Sequence, residues 1–208
     1  MTVFMEPLSN CMTPEVIAKI NHFIDENFPY QDAKFVFQDP KFRDFFVANI
    51  SPEIRAYIKP ESYIVLRMIK PRGGVHAYDF HFDNYAQTIL VPLMTPDAHQ
   101  NGDLLLRHHT RGAPRFILMH IWQKFLFQNT LALKLWSWLA TKERFFRRVR
   151  VKPGSALVFD GSRSLHGNMP VQAGERRSVL IHNQKLFSGS KAVEWIEGYS
   201  QYRKQKAQ

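Results

Sequence analysis

Two short stretches far apart in the chain, His81-Phe82-Asp83 and Leu165-His166, constrain it more than any other feature, together with Arg176-Arg177-Ser178 beyond them. In an extended strand alternate side chains share a face, so His81 and Asp83 point one way and Phe82 points the other way, into a core. Two imidazoles and one carboxylate are the ligand set that holds a non-haem Fe(II) on one face and leaves the opposite positions open. A distant histidine must supply the third ligand, so strands from separate parts of the chain have to meet at one point.

The segments between and after these residues form an ordered series. Thr88-Ile-Leu-Val-Pro-Leu-Met94 is an apolar run, and Gly102-Asp-Leu-Leu-Leu106 follows it. Lys152-Pro-Gly-Ser-Ala-Leu-Val-Phe-Asp160 then reads as a turn and a strand, and His166 is followed by Pro170-Val171, Gly174 and Arg176-x-Ser178. The series resembles the Fe(II)/2-oxoglutarate-dependent dioxygenases, and its Pro-Val…Gly-x-Arg context is most similar to their compact prolyl-hydroxylase-like group. The resemblance implies a mostly β fold with flanking helices around a double-stranded β-helix, the jelly-roll or cupin-like core. It puts His81, Asp83 and His166 on the iron as the catalytic centre. Arg176 falls on the distal carboxylate of the co-substrate 2-oxoglutarate, with Ser178 as its hydrogen-bonding neighbour. Fe(II), 2-oxoglutarate and O2 are the implied cofactors.

The implied activity is hydroxylation of an unactivated C–H bond in a small-molecule or acyl, lipid-like substrate, with release of succinate and CO2. A prolyl-type hydroxylase of peptides or protein side chains is the alternative. Two readings from other classes are a non-catalytic cupin-like metal-binding module and a membrane-associated or scaffold protein using the basic aromatic insertion, but neither needs an arginine aimed at a keto acid. Halogenating members of the family lack the carboxylate ligand, and Asp83 is present. Alkylated-base demethylases carry their arginines farther from the second histidine, which argues against nucleic-acid repair.

A guanidinium is always charged and forks two donors onto a carboxylate, which explains an arginine in the co-substrate position. Arg176 and Ser178 share one strand face and Arg177 faces away, although a slip of one residue would exchange the two arginines. His76 is a weaker ligand candidate than His81, because Tyr78 stands where a second ligand would be. His182, evenly spaced from Arg176, either faces the same cavity or is structural. His108-His109 reads as loop.

The 208 residues suffice for one core, so we expect one domain over 1–208. It comprises N-terminal helices over 1–60, a jelly-roll core over 61–189 with a helical insertion near 115–145, and a terminal helix and tail over 190–208. Seventeen Phe, seven Tyr and four Trp imply a dense core and an apolar pocket. A lone cysteine, Cys11, excludes an internal disulfide and fits a reducing compartment. With no signal-peptide pattern at the amino terminus, the expected location is cytoplasmic. The net charge of +10 favours anionic partners, including peripheral contact with an anionic surface. No aromatic-interleaved basic motif points to nucleic acid. The sequence leaves oligomeric state open.

Thr13-Pro14-Glu15 opens a helix whose apolar positions run from Val16 to Phe28. A second helix is expected over Lys41–Asn49, and Ser51-Pro52-Glu53 starts a third through Ile58. Strands are expected at Tyr63–Ile69, Thr88–Met94, Asp103–Arg107 and from Arg176 to about Lys185, with a turn at Pro71–Gly74. From Arg115 to Arg150 runs an aromatic and then basic insertion, one bent helix or two short ones capped or broken at Thr130. Its lysines argue against a bilayer span. Three readings of it stay open: a helix packed on the sheet or in a dimer interface, a hydrophobic lid over an apolar or acylated substrate, and an interfacial element on anionic lipid.

Overall fold

In the structure, a computed structural model, residues 6–28, 34–37, 39–69, 78–97, 102–114, 116–140, 142 and 144–187 are described. The turn at Pro71–Gly74, His76 and the terminal helix over 190–198 lie outside them.

Three proline-led helices begin on side-chain caps. The Thr13 hydroxyl accepts from the Val16 amide at the start of α1 (Pro14–Asn27), and the Asp39 carboxylate accepts from Phe42 N at 2.9 Å to start α2 (Pro40–Asn49). Each cap satisfies an amide that the first turn leaves without a partner. Ser51 caps α3, which ends at Arg55 rather than running to Ile58. Tyr57 N and Ile58 N reach back only three residues, to Ile54 O and Arg55 O, and so close as turns.

The strands are β1 (Glu6–Leu8), β2 (Lys34–Phe37), β3 (Tyr63–Ile69), β4 (Tyr85–Met94), β5 (Leu104–Arg107), β6 (Arg147–Val149), β7 (Ala156–Phe159), β8 (Leu165–Asn168) and β9 (Arg176–Lys185). They form a six-stranded sheet in the order β1-β7-β4-β9-β3-β2 and a three-stranded sheet in the order β6-β5-β8, antiparallel throughout. His81 adds an isolated antiparallel bridge to His166 on the free side of β8. This is the jelly roll that was expected. The region before residue 60 is a correction, since it contributes β1 and β2 to the large sheet as well as helices.

Strand alternation sorts the large sheet into two faces. Ile64, Leu66 and Met68 of β3, Ile89, Val91 and Leu93 of β4, and Val179 and Ile181 of β9 point outward. They bury with Ile20 and Ile24 of α1 and Phe42 and Phe46 of α2. The opposite face looks toward the small sheet, where Leu90, Leu157, Phe159, Leu104 and Leu106 close one end of the interior. The other end is lined by polar side chains.

The insertion forms two helices, α4 (Ile117–Gln128) and α5 (Thr130–Ala140). The break falls at Asn129, not Thr130. The Asn129 side chain accepts from Ala132 N at 2.9 Å and donates to Phe125 O and Leu126 O at 3.0 Å, so one amide ends α4 and caps α5. Phe127, Leu133, Trp136 and Leu139 pack on Phe80, Phe82, Leu105, Phe146 and Leu165, the outer face of the small sheet. Arg111 anchors α4 as well. It donates to Ser162 O at 2.7 Å and Gln123 Oε1 at 3.2 Å, and its guanidinium lies 4.0 Å from the centre of the Phe82 ring. The packed-helix reading of the insertion describes this inner face.

Candidate metal centre

Residues 81–83 form no strand beyond the His81 bridge to His166, yet their side chains alternate as the sequence requires. Phe82 is buried in the aromatic cluster under α4 and α5, while His81 and Asp83 turn to the interior, where His166 arrives on β8. One imidazole nitrogen from each histidine and one Asp83 carboxylate oxygen lie within 4.8 Å of one another. Among the described residues no other histidine, cysteine or carboxylate side chains converge in this way.

The donor atoms are oriented by their partners. His81 Nδ1 lies 2.8 Å from Asp79 O, and His166 Nδ1 lies 2.9 Å from Ser164 O. A carbonyl only accepts, so each Nδ1 carries the proton and each Nε2 turns a lone pair to the cavity. The two Nε2 atoms stand 3.6 and 3.5 Å from Asp83 Oδ1. Asp83 Oδ2 is already engaged, accepting from the Thr88 hydroxyl at 2.5 Å. Since that proton is spent on the carboxylate, His182 Nδ1, 3.1 Å from Thr88 Oγ1, acts as donor to the hydroxyl. His182 therefore faces the cavity but stands one residue behind the ligands, stacked on Tyr85.

Charge follows from this packing. Burial alone would raise the Asp83 carboxyl, but His166, His182 and His81 outweigh it and hold it well below the usual carboxylate range. Burial opposes charge on His166 too, yet Asp83 prevails and raises its imidazole above the ordinary value. His81 is pushed down by burial and by His166. Two neutralisable imidazoles flanking a carboxylate that stays ionised suit a divalent cation, and the outer nitrogens held by carbonyls are the support such ligands need. The donor set and its spacing fit a ferrous ion.

Arg176 and Ser178 line the same cavity from β9. Arg177 faces the other way, where it pairs with Glu175 and, at 2.6 Å, with Asp25 of α1. The Arg176 guanidinium donates to Gly102 O and, at 2.7 Å, to Asn168 Oδ1. Burial, with Arg67 close by, pulls it down to about 9. Arg67 reaches the cavity from β3, where it is paired in register with Ser178. Asn168, Thr88 and Arg67 were missed from sequence. Two of them carried a signal: Asn168 is two residues past His166 on the same strand face, and Arg67 is a charge inside an apolar strand.

Fold and donor set together define a jelly roll with a candidate metal site between its sheets. The same fold is found in EvdO2 from Micromonospora carbonacea var. aurantiaca solved with 2-oxoglutarate, at 14% identity and a TM-score of 0.58 over 85% of this chain and 84% of that one. A second structure of that protein aligns at a TM-score of 0.55 with 13% identity over the same shares. A prolyl 4-hydroxylase from Phytophthora capsici aligns at 0.51, with 13% identity over 85% of this chain and 56% of that chain. At such identities the likeness is one of fold. No protein-family model matches the chain, and no curated relative matches its sequence.

Proposed function

We propose that the protein is an Fe(II)- and 2-oxoglutarate-dependent oxygenase that hydroxylates an unactivated C–H bond of a small-molecule or acyl-bearing substrate. One observation carries the reading: His81, Asp83 and His166 converge on a cavity that also holds Arg176 and Ser178. His81, Asp83 and His166 hold the iron, and Arg176 takes the distal carboxylate of 2-oxoglutarate with its remaining N–H donors. Ser178 adds a hydroxyl from the same strand face, and Arg67 adds a second positive charge for a dianion. Leu90, Leu104 and Leu180 line the cavity beside these polar groups, which suits a ligand with a short methylene chain between two charged ends. Once bound, iron and 2-oxoglutarate would supply the oxidising power: one oxygen atom of O2 would pass to the keto acid as it loses CO2 and becomes succinate, and the other would enter the substrate C–H bond. The chain's own task is to orient the reactants and exclude water.

Anaerobic addition of Fe(II) and 2-oxoglutarate should produce a weak visible charge-transfer band, and in air slow succinate release that an acyl-bearing substrate accelerates. His166→Ala and Arg176→Ala should lose both signals. A wild-type protein that gives neither, or variants indistinguishable from it, would overturn the reading.

A further inference from the structure

Each helix of the insertion carries two apolar faces, and only one is used by the fold. Phe127 of α4 and Leu133, Trp136 and Leu139 of α5 pack on the small sheet. On the outer side, Leu118, Trp122 and Phe125 of α4 and Leu131, Leu135 and Trp138 of α5 are 49 to 79% exposed. The spacings 118, 122, 125 and 131, 135, 138 put each set on a single helical stripe. Among the described residues, every large hydrophobic side chain that is exposed falls between Phe116 and Trp138. A contiguous patch of this kind marks a docking surface.

Its charge identifies the occupant. No acidic residue occurs from Phe116 to Lys142, and exposed Lys134, Lys142, Arg144 and Arg147 lie within this stretch or just after it in the chain. The Lys142 ammonium lies 5.8 Å from the centre of the Trp138 ring, which places a cation at the level of an exposed indole. A second copy of this chain would bring two basic rims together, so self-association is opposed. No described helix is long and apolar enough to cross a membrane. At about 1.5 Å per residue, α4 is roughly 18 Å long, well short of the roughly 30 Å hydrocarbon layer. An apolar stripe with exposed lysine and arginine in and after it, and one indole, Trp138, beside a cation, is instead suited to lie in the headgroup boundary of an anionic bilayer.

We infer that the outer face of the α4–α5 hairpin docks the protein on an anionic phospholipid surface. The docked hairpin is also tied to the metal strand. His120, on the inner side of α4, lies 2.9 Å from the side chain of Asn84, the residue after the Asp83 ligand, and Phe127 meets Phe82 edge to face at 5.4 Å. The lipid-facing hairpin is therefore one packed layer away from the segment that carries Asp83. If the proposed oxygenase function holds, its substrate is presented from that surface.

The test uses the full chain with phosphatidylcholine vesicles, with or without phosphatidylglycerol. The wild type should sediment with the phosphatidylglycerol vesicles at low salt, release as salt rises, and leave neutral vesicles largely unbound. Brominated acyl chains should quench its tryptophan emission. Leu118→Ser/Trp122→Ser/Phe125→Ser and, separately, Lys134→Glu/Lys142→Glu/Arg144→Glu should each lower partitioning by at least about tenfold. Both should keep wild-type far-UV circular dichroism and divalent-metal affinity, because these side chains lie outside the core and the metal centre. Chelating the metal should leave vesicle binding unchanged, so failure here is distinguishable from failure of the oxygenase reading. The inference is overturned if the wild type binds neither vesicle, or if the variants bind as it does. A concentration-dependent dimer abolished by the apolar variant would assign the face to a second copy. Shielding of Trp122 and Trp138 from acrylamide without lipid would assign it to another part of the chain.

Discussion

At the scale of single residues, the metal centre is a problem of where protons sit. His166 is raised because Asp83 stays ionised beside it, whereas His81 is depressed by burial and by His166. Without metal, then, one proton is shared near His166 and Asp83 as the pH falls. Binding a cation needs the neutral imidazole, so below the raised pKa of His166 each ion must expel that proton. The sign follows: divalent-metal affinity is highest above that pKa and falls on acidification, by about tenfold per pH unit where one proton is released per ion. Calorimetric titration with Mn(II) between about pH 8 and pH 6 checks it, and a flat affinity would show that Asp83 does not hold His166 charged. The convergence of His81, Asp83 and His166 was legible because alternation along extended residues couples His81 to Asp83. Thr88 and His182 were less so, since their relation to Asp83 exists only once β4 and β9 pair and place Thr88 opposite His182. Which of Arg176 and Arg177 faces the cavity could be ranked but not settled from sequence. Register decides between them, setting Arg176 opposite Ile69 and Arg67 opposite Ser178.

At the scale of elements, the loop between β7 and β8 is as tightly specified as the ligands. Gly161 O accepts from Asp83 N at 2.9 Å, and a Cβ on Gly161 would overlap both Asp83 Oδ2 and Thr88 Oγ1. Gly161→Ala must therefore push the Asp83 carboxylate off its place. We expect metal affinity to drop by at least about tenfold, while overpacking costs only about 1–3 kcal/mol of stability. Metal titration beside a thermal melt separates the two effects, and an unchanged metal affinity would show that the loop yields freely. Long elements with a clear period, such as α1, β3 and β9, were readable in advance. The strands β1 and β2 were not, because three or four residues at the edges of a sheet show no usable alternation and Pro7 disguises the first. In the basic run after α5, β6 was hidden by its arginines. The reason for one of them, and for its neighbour past the strand, is distant: Arg148 of β6 and Arg150 just after it hold Asp103 at 2.5 and 3.2 Å.

At the scale of the whole molecule, the interior between the two sheets gathers positive charge. Arg67 and Arg176 are both depressed by burial, and Arg67 further lowers Arg176. A guanidinium does not shed its proton at working pH, so the depression expresses a cost the native state carries until an anion arrives. The unfolded chain has no such site. A dianion that binds only the native state must then raise stability by about 2.7 kcal/mol at a hundredfold excess over its Kd. For a chain of this size that is roughly 5–10 °C in Tm. The gain should require 2-oxoglutarate with a redox-inert divalent ion and should not follow from chloride at equal ionic strength, because a monovalent ion cannot span two sites. Arg176→Ala should fold yet lose most of the shift, since the distal carboxylate then has no fork to meet. Differential scanning calorimetry decides the matter: an equal shift in wild type and variant would place the anion elsewhere and leave Arg176 a structural residue bonded to Asn168 and Gly102.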